Sequence, residues 1–146
     1  MSKRLSLIAA LVMLACGCAA FLLSDPYDPA FDAALEDFRK NTDTFFEDLG
    51  RAAATPDGDW ERFEPAYRSL EADLNRLTQQ AMLRPGNTSL LQSLDLVRQN
   101  LAACEELHRD GITPAEVTVV RRLIDTQVRM LLELEHARSG SGKEAV

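Results

Sequence analysis

The chain reads as an all-α protein, an antiparallel up-down-up-down four-helix bundle that comes after an N-terminal signal or anchor segment. Three observations predict it. Apolar residues recur at steps of three and four in four successive stretches, and no stretch shows the strict alternation of a strand. Clusters of Pro, Gly, Asp and Asn separate those stretches, leaving loops of only a few residues. Helices of roughly 24 residues are ~36 Å long, and short loops make consecutive helices antiparallel neighbours. A helical rod that dimerises as a coiled coil is the alternative, because the second apolar stripe also suits a heptad seam.

The first segment carries no fold information but says where the rest goes. Lys3 and Arg4 precede an uncharged run from Leu5 to Leu23, the pattern of a secretory signal. Small residues lead into cysteine twice, as Leu14-Ala15-Cys16 and as Gly17-Cys18-Ala19. This resembles the lipobox of bacterial lipoproteins, and the resemblance implies that a cysteine is acylated and becomes the mature N-terminus. Cys18, which comes after Gly17, is the leading lipidation site and Cys16 the alternative. The run is also about the ~20 residues a membrane span needs. An uncleaved anchor over residues 5–23, with Lys3 and Arg4 on the cytoplasmic side, therefore stays open, as does ordinary cleavage with release. All three readings export the rest of the chain.

Residues 1–18 are accordingly a signal peptide (or 5–23 an anchor), 19–29 a tether, 30–139 the bundle and 140–146 a flexible tail. Asp28-Pro29 supplies a cap and a proline at the first helical position. Phe31, Leu35, Phe38, Phe45 and Leu49, with Thr42 in phase, make the first helix, to about Ala53. Thr55-Pro-Asp-Gly-Asp59 ends it. The second stripe is the most regular: Trp60, Phe63, Tyr67, Leu70, Leu74, Leu77 and Ala81. Pro65 predicts a kink or a late start there, and Pro85-Gly86-Asn87 closes the helix. The third helix spans about Thr88 to Asp110 with Leu90, Leu94, Val97, Leu101 and Cys104 inward, and Gly111 suits a left-handed cap. Thr113-Pro-Ala-Glu116 is a capping box, with Ile112 and Val117 as its hydrophobic staple. The fourth helix carries Val117, Val120, Ile124, Val128, Leu131 and Leu134, and fades at Ser139.

Charge and cysteine count narrow the function. Of 16 basic and 23 acidic residues, Lys3 and Arg4 belong to the leader, so the exported part carries 14 against 23, a net −9. Such a surface repels nucleic acid and anionic lipid headgroups, and no nucleic-acid partner is expected. Cys104 is alone outside the leader, so no internal disulfide framework exists despite the oxidising destination.

Candidate chemistry is thin. Glu105…His108 and Glu133…His136 both have the Glu-x-x-His spacing of di-iron bundles. The hairpin topology separates the two histidines by on the order of 30 Å, so no metal site is expected. No Cys-x-x-Cys-His haem attachment, phosphate loop or nucleophile elbow occurs. Met82 and Met130 read as core or boundary residues, and Cys104, four residues before His108, as an apolar filler. No cofactor is implied, and the chain is not expected to be an enzyme. Phe45, Phe46, Leu49, Trp60, Phe63, Tyr67 and His108 collect at the end of the bundle away from the anchor. Filling the core accounts for them, but Phe46 and Trp60 are the candidate interaction patch if they do not all fit inside. The run Asp25, Asp28, Asp32, Glu36, Asp37 reads as a solvated face, or else as a dock for a basic partner.

With Gly17-Cys18, a short tether ending in Tyr27-Asp28 and a helical domain, the chain resembles small bacterial lipoproteins. That implies membrane attachment through a lipid anchor and another envelope protein as partner. Neither Ala19 nor Gly17, the residues after the two cysteines, is the aspartate that retains lipoproteins in the inner membrane. In a Gram-negative cell the resemblance implies the periplasmic face of the outer membrane. The leading expectation is thus a membrane-tethered protein–protein interaction or accessory module. The alternative is a small-ligand or metal-binding bundle, with a cavity lined by Thr42, Tyr67, Cys104 or His108.

Overall fold

A computed structural model describes residues 27–141; Cys16 and Cys18 lie outside them. Four helices occur in order: α1 over Pro29–Ala52, α2 over Trp60–Met82, α3 over Thr88–Arg109 and α4 over Pro114–Ser141, with a 3₁₀ turn at Pro56–Gly58 between the first two. α1 packs on α2 and α4, and α3 packs on the same two. That ring is the expected up-down-up-down bundle. Among the described residues, no helix is long and apolar enough to cross a membrane.

Each helix starts and stops for local reasons. The Asp28 carboxylate accepts from Ala30 N at 2.9 Å and Phe31 N at 3.2 Å, satisfying donors that the first turn of α1 cannot pair internally. The Thr113–Glu116 box forms in both directions, Thr113 N donating to Glu116 Oε2 at 2.8 Å and Glu116 N to Thr113 Oγ1 at 3.3 Å. Ile112 and Val117 are both buried beneath it, as a staple requires. Gly111 has φ of 99°, the left-handed cap conformation. Asn87 works backwards: its side-chain amide donates to the Ala81 and Met82 carbonyls, closing α2 rather than capping α3.

Two local expectations are corrected. α2 begins at Trp60, ahead of Pro65 rather than after it. Pro65 removes only the bond to the Glu61 carbonyl, in the first turns, where Glu61 faces water. Near its C-terminus, α4 presents Leu131, Leu132 and Glu135 to the core, while Leu134 is exposed. The stripe of Val117, Ile124, Val128 and Leu131 continues one turn further to position 135, and a glutamate can occupy it because Arg84 meets it there. The Arg84 Nη1–Glu135 Oε1 distance is 3.0 Å and Arg84 Nη2–Glu135 Oε2 is 3.2 Å, a two-pronged pair with the carboxylate fully buried. Arg138 reaches the same carboxylate at 2.6 Å, and the Arg84 guanidinium lies over the Phe31 ring.

The core runs unbroken between the two ends. Phe31, Leu35, Phe38 and Leu49 of α1 meet Leu70, Leu74 and Leu77 of α2, Leu94 and Val97 of α3, and Ile124 and Val128 of α4. Thr42, also buried, gives its hydroxyl to its own helix, 3.0 Å from the Phe38 carbonyl and 2.8 Å from that of Arg39.

Candidate functional site

Three places in the bundle depart from apolar inside and charged outside. The first is the end at the α1–α2 and α3–α4 turns, where the expected aromatics do gather. Phe45 packs edge-on against Phe46, Phe63 and Tyr67, and Phe63 against the His108 ring. His108 Nε2 lies 2.7 Å from the Gly58 carbonyl, which can only accept, so Nε2 carries the proton. In the neutral ring Nδ1 is then an acceptor, and Tyr67 donates its hydroxyl to it at 3.2 Å. The Cys104 thiol stands 3.4 Å from the same Tyr67 oxygen. Gly58 sits where a Cβ would strike the Ala52 carbonyl, so only glycine brings its own carbonyl to the histidine.

Tyr67, Cys104 and His108 therefore meet in direct contact, whereas Thr42, named with them as a lining residue of a ligand cavity, does not join them. Their polar atoms are spent on one another and on the backbone. Burial pushes both the Tyr67 hydroxyl and the Cys104 thiol upward, so both stay protonated at neutral pH and neither is poised to react. Outside this cluster lies a shallow recess of about 330 Å³ edged by Gly58, Trp60, His108 and Arg109. The pair Phe46 and Trp60 does not form an open patch. Phe46 is 2% exposed in the core, and the half-buried Trp60 ring lies 4.5 Å beneath the Arg109 guanidinium.

The second place is the opposite end, with the Arg84–Glu135–Arg138 group. There His136 Nε2 lies 3.1 Å from Asp32 of α1, and Tyr27 donates to the same carboxylate at 3.0 Å. The two Glu-x-x-His pairs thus occupy opposite ends, His108 beside Gly58 and His136 beside Asp32. The acidic run splits accordingly. Asp28 is a cap, Asp32 pairs with His136, and Glu36 and Asp37 pair with Arg39 and Lys40 of their own helix.

The third place is a side. Among the described residues eight large apolar side chains are exposed, and six of them lie on α3 and α4: Leu96, Leu107, Val119, Leu123, Met130 and Leu134. Met82 and Leu83, the other two, sit at the α2–α3 turn. The expectation that Met82 and Met130 are core or boundary residues fails, since they are 61% and 64% exposed. On α4 the four recur at steps of 4, 7 and 4, and on α3 Leu96, Ala103 and Leu107 recur at 7 and 4, so each set shares one stripe. Polar contacts show which way those stripes face. Arg98 leans to α2, reaching Asn75 and Thr78, and Arg121 leans to α1, reaching Asp43 and Glu47. Asn100 and Gln127, one helical turn from Leu96 and Leu123, join α3 to α4 at 3.0 Å. The apolar residues flank that bond, on the outer surface of the α3–α4 pair. Gln92 is the remaining member at that spacing, so the narrow stripe through these residues carries no formal charge, and the exposed Glu106 and Glu133, each seven residues beyond Gln99 and Thr126, form its edges.

No protein-family model matches the chain, and neither a curated protein nor a solved structure shows significant similarity to it.

Proposed function

We propose that this chain is a membrane-tethered helical module of the bacterial cell envelope, anchored through lipid on Cys18 or Cys16, that acts by protein–protein interaction. The α3–α4 face carries the reading. Solvent alone does not favour a stripe of six exposed large apolar side chains in a chain of net −7, whereas docking does. The leader supports the membrane half of the proposal through its basic start, its apolar run and its Gly17-Cys18. Export puts the bundle beside other envelope proteins, and its acidity turns it away from nucleic acid. The ligand-binding alternative gains nothing from Tyr67, Cys104 and His108, because their hydrogen-bonding capacity is already used.

Two measurements on the full chain in bacterial membranes test it. Intact mass with Cys18→Ser and Cys16→Ser in parallel should show diacylglyceryl mass that one of the two substitutions removes. An unprocessed mass and membrane retention in both variants would replace the lipid with a spanning anchor. A photo-cross-linking residue at Met130 should yield protein adducts that the same residue at Asp37, on the charged exterior of α1, does not. Equal or absent adducts at the two positions would end the docking reading.

A further inference from the structure

We infer that the occupant of the α3–α4 face is a second copy of this chain, forming a two-fold dimer in which both anchors enter the same membrane. The inference rests on the docking reading above and names its partner. Charge is the first argument. Two copies of a chain of net −7 repel wherever their charged exteriors approach, and the apolar stripe of the α3–α4 pair is where that repulsion is weakest. A basic partner would find no carboxylate on the apolar stripe itself, and only Glu106 and Glu133 at its edges. A second copy finds apolar side chains and amides, and an amide, carrying donor and acceptor together, can pair with another amide as a charge cannot with its like.

Register is the second argument. The Asn100–Gln127 hydrogen bond sets the level at which α3 and α4 stand side by side. At helical rise, Leu96 is then within about 2 Å of the height of Met130, Ala103 of Leu123, and Leu107 of Val119. A two-fold axis parallel to the helices sets each α3 against the other copy's α4 without changing those heights. Apolar levels meet apolar levels, and the Asn100–Gln127 level meets itself, so the face is complementary to its own image. The four helices at the interface again form an antiparallel ring. An axis perpendicular to the helices would point the two anchors in opposite directions, so a shared membrane selects the parallel one.

Size is the third argument. Gln92 to Leu107 and Val119 to Leu134 each span about 22 Å along the helix, and two helices side by side are roughly 20 Å wide. Two such faces bury on the order of 1,000 Å², the lower edge of specific interfaces. Confinement of both copies to one membrane raises their effective concentration enough for an interface of that size to be occupied.

The test uses the full chain, co-expressed with two different tags and extracted from its membranes in mild detergent. Each tag should capture the other, and sedimentation should give a dimer. Leu123→Lys should weaken that dimer at least ~30-fold by burying an unpaired charge, while Asp48→Lys on α1 should not. Leu123→Lys should keep the native helical signal in circular dichroism, since Leu123 is exposed within one copy, and should melt lower only by the association it has lost. A copy with Ala103→Cys and a copy with Leu123→Cys should join through a short bis-maleimide in the parallel arrangement. A monomer throughout, with photo-adducts at Met130 to a different envelope protein, overturns the dimer and leaves the docking reading standing. A monomer without adducts at Met130 overturns both.

Discussion

The two ends of the bundle bury polar groups in opposite ways. At the turn end, Tyr67, Cys104 and His108 form a hydrogen-bonded chain without an ion pair that finishes on the Gly58 carbonyl. At the end where α1 begins, Arg84, Glu135 and Arg138 form a charged group, with Glu135 fully buried. A neutral hydrogen-bonded network costs little when one member is lost, because the orphaned atoms carry no net charge. A buried ion pair is a poor net stabiliser while intact and expensive to break, since the survivor is a bare charge in a low dielectric. One end should therefore tolerate change and the other should not.

The largest effect is expected midway, where neither network reaches. Leu74 is fully buried among aliphatic side chains, so Leu74→Asp introduces a charge with no partner and should cost about 4 kcal/mol or more, enough to unfold the domain. A native melting curve for that variant would mean the core is misassigned. Next, Arg84→Ala should cost about 2–4 kcal/mol in urea denaturation, the lower part reflecting the Arg138 contact that remains. Pairing it with Glu135→Leu should recover most of the loss. If the double variant is no better than the single, the end is held by packing of the Arg84 stem and not by charge. At the other end, Tyr67→Phe keeps the ring and removes one hydroxyl, and should cost only about 1–2 kcal/mol. A loss as large as that of Arg84→Ala would erase the contrast between the ends.

The smallest effect belongs to the cap beside the turn end. Thr113→Ala should cost about 1 kcal/mol. The two Thr113 hydrogen bonds hold the Glu116 carboxyl below its ordinary range. Its folded pKa is lower than its unfolded one, so its contribution is complete above the ordinary carboxylate range and is lost as pH falls through the lowered value. The stability gap between the native chain and Thr113→Ala should therefore narrow in acid. A gap constant from pH 7 to pH 3 would show that the carboxylate plays no part in the cap.

Much of the fold is legible in the sequence, and the rest is not for identifiable reasons. Asp28-Pro29, Gly111 and Thr113-Pro-Ala-Glu116 mark helix ends because capping is a matter of a few adjacent residues. The aromatic end emerges from counting helix lengths. Glu135 escapes a reading that admits only apolar residues to the stripe, although it falls four residues after Leu131 and seven after Val128. The signal that could find it is Arg84, a cation in the turn that the topology brings to the same end. Phe46 looks like a surface residue because it neighbours Phe45 in sequence, yet both rings are buried and meet edge-on.

By itself the sequence determined the helix count, the antiparallel order and, the start of α2 at Trp60 excepted, the boundaries to within a residue or two. Those depend on periodicity, caps and loop lengths, all interactions of short range along the chain. Only the tertiary structure decided that Glu135 goes inside, that His108 finds the Gly58 carbonyl, and that Val119, Leu123, Met130 and Leu134 are left outside beside Leu96 and Leu107. A stripe of apolar residues says that a helix has something to cover. Whether its own chain covers it depends on which neighbours arrive on each flank, and those neighbours are distant in sequence.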